Sequence, residues 1–305
     1  MKKIEMILDA EMEGKPLEKL MREYMGLTQK QIRSAKFRDN GICLNGIRQR
    51  ITALGKAGDW LSVCLEEEKK DTGKVVPVKG TLEILYEDED IIAVNKPGGI
   101  PSHPGRGHYR DSLANLLAGY LKEKETCTLL RPVGRLDRDT SGVMVFGKNR
   151  AAAARLFSQK EQGIFEKEYL ALVRGKIRQK EGVIEAPIGN LPGHKLKMQV
   201  SEMGKPAFTR YMLQKEYGDY SLLRCRILTG RTHQIRVHLS WIGYPIVGDI
   251  LYGNGEESLS RGLALHCEKA VFVQPFTGLE ISVRAAVPDS FSVLYEKKRE
   301  DKVTG

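Results

Sequence analysis

The sequence predicts an α+β protein with two parts, a large domain and a smaller module in front of it. The chain has 305 residues, 41% of them hydrophobic, which is enough for a sizeable core. Strand-like runs mixed with a few helical runs favour α+β over regular βαβ repetition. A charged stretch at 66–80 contains Gly and Pro and lacks apolar periodicity, which is typical of a linker. We therefore place a module at 14–66, a linker at 67–79, the large domain at 80–292 and a frayed tail at 293–305.

The charge balance indicates a polyanionic partner. Lys and Arg number 49 against 39 Asp and Glu, a net charge of +10. The sequence contains no apolar stretch of about 18 residues, and its N-terminus has acidic residues where a signal core would lie. We expect a cytoplasmic protein without a membrane segment. The five cysteines are widely spaced without Cys-x-x-Cys, which excludes a disulfide scaffold and a zinc ribbon.

Each element of the module has a local signal. Leu17, Leu20, Met21 and Tyr24 fall at helical spacing, and a second helix is predicted over 29–38. Two strands flank the Asn45–Gly46 turn, and a third is predicted over 60–65. Residues 22–56 hold eight basic side chains and two acidic ones. They form either a solvated basic face or a contact surface for a polyanion.

The large domain has a different pattern of short strands and helices. Its predicted elements are two strands around an acidic turn over 82–96, a helix over 111–121 capped by Asp111 or Ser112, a buried strand over 143–148, a helix over 149–162, strands over 168–177 and 221–228, and a helix that begins near Thr232.

The densest polar stretch, 131–142, is the first candidate for chemistry. It holds Asp137 and Asp139 among three arginines, between Gly134 and Gly142. A guanidinium beside a carboxylate favours the anionic form, and an ionised, positioned Asp can act as nucleophile or base. The alternative is a surface loop that an Arg–Asp pair holds in place.

A second polar cluster, 229–238, contains two histidines. If its helix begins near Thr232, that residue caps it, and the first turn offers N–H groups to a phosphate. His233 and His238 are five apart, so on a helix they point about 140° away from each other. His266-Cys267-Glu268 matches half of a zinc-deaminase signature, but no Pro-Cys-x-x-Cys follows. We expect no metal site.

Several runs in the large domain, in order, resemble the RluA family of pseudouridine synthases over roughly 80–290. The runs that carry the resemblance are Asn95-Lys96-Pro97, His103-Pro104-Gly105, Gly134-Arg135-Leu136-Asp137, Lys167-Glu168-Tyr169, Gly204-Lys205-Pro206, Gly230-Arg231-Thr232-His233-Gln234-Ile235-Arg236, Gly248-Asp249 and Leu265-His266.

The resemblance implies a fold, a reaction and a catalytic set. The fold is a mixed, mostly antiparallel central sheet flanked by helices, and the reaction isomerises uridine in RNA to its carbon-linked form without cofactor or metal. Asp137 is the implied essential carboxylate, acting on the sugar's anomeric carbon or on a proton beside it. Tyr169 would stack on the extruded base and take part in proton transfer, and Arg236 would pair with Asp137.

The same resemblance assigns residues to the substrate side. The implied substrate-binding residues are Arg135, Lys167, Arg231, His233 and Gln234, with Lys195, Lys197 and Lys205 as further candidates at the entrance. Gly134 stands where the family usually has a histidine before Arg-Leu-Asp. Because the carboxylate chemistry does not require that imidazole, we expect activity to survive.

The module resembles the alpha-L RNA-binding module of a small-subunit ribosomal protein and of many RNA-modifying enzymes. Leu17-Glu18-Lys19-Leu20, Arg33, Lys36, Leu44-Asn45-Gly46 and Ala57-Gly58-Asp59 carry this resemblance. It implies RNA contact and favours large-subunit ribosomal RNA as the substrate, with transfer RNA open, and we expect a monomer. The alternative hypothesis is a non-catalytic RNA-binding or ribosome-assembly factor on the same fold.

Overall fold

The computed structural model describes residues 2–65, 75–105, 107–124, 130–253 and 262–291. Most of the predicted linker and all of the predicted tail lie outside the described residues. The end of the linker that is described is tied to the large domain: Asn115 donates to the Val76 carbonyl (2.8 Å), and the Val78 amide donates to the Asn115 carbonyl (3.0 Å). In the described part of the chain, no helix is long and apolar enough to cross a membrane.

A four-stranded antiparallel sheet and two helices form the N-terminal module. The strands are β1 (Lys2–Ile7), β2 (Ile42–Leu44), β3 (Ile47–Arg48) and β4 (Trp60–Leu65), in the order β1-β4-β2-β3. The helices are α1 (Leu17–Glu23) and α2 (Gln29–Lys36). Thr28 begins α2 with a capping box, since its hydroxyl accepts from the Gln31 amide while the Gln31 side chain accepts from the Thr28 amide. The two helices, the hairpin and β4 are the elements that the sequence predicts.

Strand β1 is an element that the sequence analysis did not predict. It pairs with β4 along its full length, from Lys2 opposite Leu65 to Ile7 opposite Trp60. Ile4 is buried, while Lys3 and Glu5 form an ion pair on the exposed face. This alternation is a strand signal. The module's sheet therefore includes residues before 14, although its boundaries as a domain stay a prediction.

A ten-stranded mixed sheet forms the large domain. Its strands are β5 (Glu83–Glu87), β6 (Ile91–Lys96), β7 (Arg131–Pro132), β8 (Ser141–Gly147), β9 (Glu166–Arg174), β10 (Glu181–Glu185), β13 (Phe208–Tyr217), β14 (Tyr220–Ile227), β15 (Leu265–Val273) and β16 (Glu280–Arg284), while β11 (Ile188–Asn190) and β12 (Met198–Val200) form a separate pair. The main path of the sheet is β10-β13-β14-β9-β15-β8-β6-β5, with β16 paired to β15 and β7 to β8. The β15–β8 pair is parallel, and the other pairs are antiparallel, as expected.

Three helices pack on this sheet. They are α3 (Leu113–Glu123), α4 (Arg150–Glu161) and α5 (Gln234–Trp241). Ser112 caps α3 and Asn149 caps α4 through side-chain oxygens that accept from backbone amides. All seven residues of β8 are buried, and four of them, Val143, Met144, Val145 and Phe146, belong to the hydrophobic core of the domain.

The predicted Thr232 cap of α5 is wrong. The residue that precedes the helix is His233, in the left-handed region at φ 55° and without a side-chain cap. The preceding turn closes instead through Gln234, whose side-chain oxygen accepts from the Arg231 amide (3.0 Å) and whose own amide donates to the Arg231 carbonyl (3.2 Å).

Candidate active site

The loop between β7 and β8 presents Asp137. Val133 and Leu136 of this loop are buried in the core, whereas the Asp137 side chain is 17% exposed. Arg138 forms an ion pair with Asp139, with Nε 3.0 Å from Oδ1. The Arg–Asp pair expected of a merely structural loop is therefore present. Its carboxylate is that of Asp139, and Asp137 takes no part in it.

Residues on both sides of Asp137 are anchored to the rest of the domain. The Ser102 hydroxyl donates to the Leu136 carbonyl (2.8 Å). On the other side, the fully buried Lys96 donates from Nζ to the carbonyls of Arg138, Pro97 and Ile100, each at 2.8 Å. Burial lowers the pKa of Lys96 to about 7, although the charges of Asp139 and Asp137 oppose that shift. These contacts fix the position of the Asp137 backbone.

Strand register places Tyr169 beside this loop. Tyr169 on β9 lies opposite Cys267 on β15, and Cys267 lies opposite Gly142 at the beginning of β8. Gly142 has φ +110°, and a Cβ there would lie 2.2 Å from the Cys267 carbonyl oxygen. Only glycine permits β8 to approach β15 so closely. The end of the Asp137 loop is therefore held two strands away from Tyr169.

Tyr169 is buried, with 4% of its surface exposed. Burial raises its pKa well above 10, and the neighbouring Cys267 and Asp137 raise it further. The phenol therefore keeps its proton at neutral pH and can donate a hydrogen bond.

Arg236 links Asp137 to a second carboxylate, that of Asp249. The Arg236 Nε and Nη2 donate to the two Asp249 oxygens at 2.8 and 2.7 Å. Its Nη1 lies 3.9 Å from Asp137 Oδ2. Burial alone would lower the pKa of Arg236, but the hydrogen bonds and charge of Asp249, then the charge of Asp137, raise it instead. The expected pair with Asp137 exists as a longer contact, while the hydrogen bonds go to Asp249.

Tyr252 and His233 extend the cluster that Asp137, Arg236 and Asp249 form. The Arg236 guanidinium lies 5.1 Å from the centre of the Tyr252 ring. The Tyr252 hydroxyl accepts from the Met198 amide (2.8 Å) and is hydrogen-bonded to His233 Nδ1 at 2.9 Å. Burial lowers the pKa of His233, and the charges of Asp137 and Arg236 also act on it in opposite directions. His233 is therefore a neutral side chain near Asp137.

Gln234 uses its whole amide inside the protein. Its Nε2 donates to the Phe208 carbonyl and the Thr209 hydroxyl, and its oxygen accepts from Thr229 and from the Arg231 amide. Gln234 thus shapes the turn before α5, and its role in substrate binding stays a prediction. Arg231 lies beside this turn, with its Nε bonded to the Pro206 carbonyl (2.9 Å).

The remaining substrate candidates surround the cluster. Arg135 is exposed, and its charge acts on the pKa of His233. Lys167 is half-buried on β9, and burial lowers its pKa. Lys197 Nζ lies 5.7 Å from the centre of the Tyr252 ring. Asp137 and Arg236 are therefore in contact, Tyr252 links Arg236 to His233, and Tyr169 lies two strands from the end of the Asp137 loop.

Sequence reasoning missed the roles of three residues here. Asp249 was part of a recognised run but received no role, and its place eight residues after α5 does not reveal its partner. Lys96 sits in Asn-Lys-Pro, a lysine at the end of a buried strand, which is a signal for an unusual internal cation. For Tyr252 the sequence offers no signal.

Two further observations describe the surroundings. A cavity of about 510 Å³ shares Arg236 with the cluster and is lined also by Arg138, Asp139 and Ser141, a size within the range of small-ligand sites. Among the residues that the structure describes, no group of three or more His, Cys, Asp or Glu could hold a metal ion. That the reaction needs neither metal nor cofactor stays a prediction.

Comparison with known proteins identifies the class. A family model described as RNA pseudouridylate synthase matches residues 90–241, which include Asp137, Tyr169 and Arg236. An uncharacterised RNA pseudouridine synthase of Bacillus subtilis is 42% identical over 76% of this chain and 77% of its own length. A ribosomal large subunit pseudouridine synthase D of Xylella fastidiosa is 37% identical over 85% of this chain and 82% of its own.

A solved structure agrees with this class. Human RNA pseudouridylate synthase domain containing 1 superposes with a TM-score of 0.58 at 29% identity, covering 71% of this chain and 87% of that one. The large domain thus has the fold of pseudouridine synthases. The chain belongs to the RluA family of RNA pseudouridine synthases.

Proposed function

We propose that this enzyme converts specific uridines of large-subunit ribosomal RNA to pseudouridine, with Asp137 as the essential carboxylate acting on an extruded nucleotide. The observation that carries the proposal is the arrangement of Asp137, Arg236 and Asp249. Arg236 is fixed by two hydrogen bonds to Asp249, so its third nitrogen presents a positive charge to Asp137 in a defined direction. The guanidinium thus holds a positive charge beside the carboxylate that the proposed reaction uses as nucleophile or base.

The surroundings of Asp137 support an extruded base. The role that we propose for Tyr169 is stacking of its ring on the base, which is worth about 1–3 kcal/mol. Extrusion costs a few kcal/mol, which contacts between phosphates and a basic surface offset. The exposed Arg135, two residues before Asp137, is placed to hold the flipped nucleotide or to fill the gap in the RNA stack.

The proposed RNA target draws support from the relatives and from the N-terminal module. Three of the relatives that match over more than 80% of this chain are named for the ribosomal large subunit. In the module, Lys36, Arg48 and Arg50 surround Phe37, which is 74% exposed. An exposed ring among cations suits stacking on an unpaired base with phosphate contacts around it. We propose that this face contacts RNA, in a cytoplasmic enzyme that acts as a monomer.

The test is pseudouridine mapping on ribosomal and transfer RNA from cells that lack this gene. The same RNAs are then treated with wild-type protein, with Asp137→Asn, or with Asp219→Asn as a matched control at an exposed carboxylate. We expect sites that are lost in the deletion and restored by wild type and control but not by Asp137→Asn. Because asparagine preserves shape, RNA binding should stay within about threefold.

Turnover by Asp137→Asn would overturn the catalytic assignment. Sites in transfer RNA alone would overturn the ribosomal target. If no site changes, while wild type and Asp137→Asn bind RNA equally, the chain acts as a non-catalytic RNA-binding or assembly factor.

A further inference from the structure

Helix α4 of the catalytic domain packs directly against the N-terminal module. Ala151, in its first turn, is 3% exposed and belongs to the hydrophobic core of the module, together with Met25 and Leu27. Arg155 follows one turn later on the same face. The loop between β15 and β16 joins this contact through Phe276, which also packs against the module's core.

Arg155 bonds to both parts of the protein at once. Its Nη2 donates to the carbonyl of Met25, in the loop between α1 and α2 of the module. Its Nη1 donates to the carbonyl of Pro275 in the catalytic domain (2.6 Å), and its guanidinium lies 4.6 Å from the centre of the Phe276 ring. A planar guanidinium can donate in two directions while stacking on a ring, which a lysine cannot do.

The module's loop fits closely around Arg155. Gly26, next to Met25, has φ +62°, and a Cβ there would lie 3.5 Å from Arg155 Nε. The left-handed turn aims the Met25 carbonyl at the guanidinium, and glycine adopts it without strain. The contact therefore involves a turn of defined shape rather than a mobile side chain on a smooth surface.

Helix α4 is itself held rigidly. The Gln159 side chain donates to the Val273 carbonyl (2.7 Å) and accepts from the Val273 amide (3.0 Å), which ties α4 to β15. Asn149 at its beginning donates to Asp90 (2.7 Å). Since both ends of α4 are fixed to the catalytic sheet, Arg155 has a fixed position relative to that sheet. Its contact with Met25 therefore relates the orientation of the module to that of the sheet.

The charged Arg155 guanidinium has no carboxylate bonded to it in this contact. Both of these hydrogen bonds go to neutral carbonyls, and Arg155 Nε has no hydrogen-bond partner among the described residues. Burial lowers the pKa of Arg155 to about 10, with only a partial opposing effect from Asp90. A half-buried charge without a carboxylate in hydrogen-bond contact contributes little to stability, and conformational specificity is a role that such groups can serve.

We propose that Arg155 locks the N-terminal module in one orientation on the catalytic domain, so that the enzyme selects uridines at a fixed distance from the RNA element that the module contacts. This inference rests on the proposed function, because it assumes that both the module and the Asp137 site bind RNA. It assigns a positioning residue far from the reacting atoms and gives the module a part in site selection.

The experiment compares full-length wild type, Arg155→Ala, Arg155→Lys and a control, Arg178→Ala, which removes an exposed arginine from the same domain. Each protein is given an unmodified large-subunit ribosomal RNA transcript and a short hairpin around a uridine that the wild type modifies in it. Small-angle X-ray scattering of each free protein reports whether the module stays docked.

We expect both Arg155 variants to lose roughly tenfold in kcat/KM on the long transcript, through KM, because an undocked module contributes a lower effective concentration. Their kcat on the hairpin should stay within about twofold of wild type, which also shows that the catalytic domain is folded. The radius of gyration should rise for these variants, and Arg178→Ala should match wild type throughout.

Equal losses on both RNAs would show a merely structural role and overturn the proposal. Wild-type kinetics on both RNAs, or an unchanged radius of gyration in both Arg155 variants, would overturn it as well. If wild type itself forms no pseudouridine in either RNA, the proposed function fails, and the scattering result alone decides whether Arg155 docks the module.

Discussion

Arg236 is bonded to Asp249 through both of that residue's carboxylate oxygens, at 2.7 and 2.8 Å, and both side chains are buried. Two parallel charge-assisted bonds fix the plane of a guanidinium as well as its position. The remaining nitrogen is then aimed at Asp137, 3.9 Å away. Asp249 therefore acts on the candidate catalytic carboxylate through Arg236, which makes it a positioning residue.

Replacing Asp249 by Asn tests this relationship. Asparagine keeps one acceptor but removes the charge and the two-bond geometry, so Arg236 can rotate away from Asp137. We expect the single-turnover rate of pseudouridine formation to fall roughly a hundredfold, the size of effect that misplacement by about 1 Å can produce. RNA affinity should change little. Asp219→Asn is the control, and a wild-type rate in Asp249→Asn would show that the orientation of Arg236 is unimportant.

Two substitutions at Tyr169 separate its ring from its hydroxyl. Phenylalanine keeps the stacking face but removes the buried, protonated phenol. We expect Tyr169→Phe to lower kcat about 10²–10⁴-fold, the range for a lost proton-transfer group, with KM nearly unchanged. Tyr169→Leu should also raise KM, since stacking worth about 1–3 kcal/mol is lost. Equal kcat values for wild type and Tyr169→Phe would limit Tyr169 to stacking.

Lys96 offers a test of how the Asp137 loop is held. In Lys96→Met, the carbonyls of Pro97, Ile100 and Arg138 lose their shared donor. We expect the free energy of unfolding to fall by about 1–3 kcal/mol. The unpaired carbonyls are destabilising, and removal of the buried charge offsets part of that cost. The rate should fall at least tenfold. Urea denaturation and single-turnover assays check this, and Lys122→Met, at an exposed position of α3, is the control.

The sequence was sufficient for those parts of the site that lie in contiguous runs. Asp137, Tyr169 and Arg236 each stand in a short run with a distinct pattern, and the structure brings all three to one place. The hairpins and helices were also predictable, because alternation and helical spacing are local signals.

The contact partners of charged side chains were not predictable in the same way. Asp137, Asp139 and Asp249 are all carboxylates that Arg236 could contact, and only the packing of α5 on the sheet decides among them. The Arg155 contact with Met25 joins residues 130 positions apart. Such pairings depend on tertiary structure, for which spacing along the chain gives no signal.

Buried histidines make the stability of the enzyme sensitive to mild acid. Burial lowers the pKa of His233, His238 and His266. His238 Nε2 faces the Ala186 carbonyl, so it carries the proton, and Nδ1 accepts from the Thr209 hydroxyl. Protonation would put a proton on Nδ1, which already accepts the hydroxyl proton of Thr209. The charged ring would therefore disrupt this hydrogen bond.

The sign of the pH dependence follows from these shifts. An unfolded histidine binds a proton near pH 6.5, whereas the native ones bind it only at lower pH. Below about pH 6.5 the unfolded chain therefore binds more protons, and the free energy of unfolding decreases as the pH falls, by up to about 1.4 kcal/mol per pH unit for each histidine.

Urea denaturation at pH 7.5, 6.5 and 5.5 measures this pH dependence. These pH values lie above the range in which carboxylates titrate. His238→Gln should reduce the slope by one proton's share, and His194→Gln, at an exposed position, should leave it unchanged. Equal slopes for wild type and His238→Gln would mean that His238 accepts a proton in the native state as readily as in the unfolded chain.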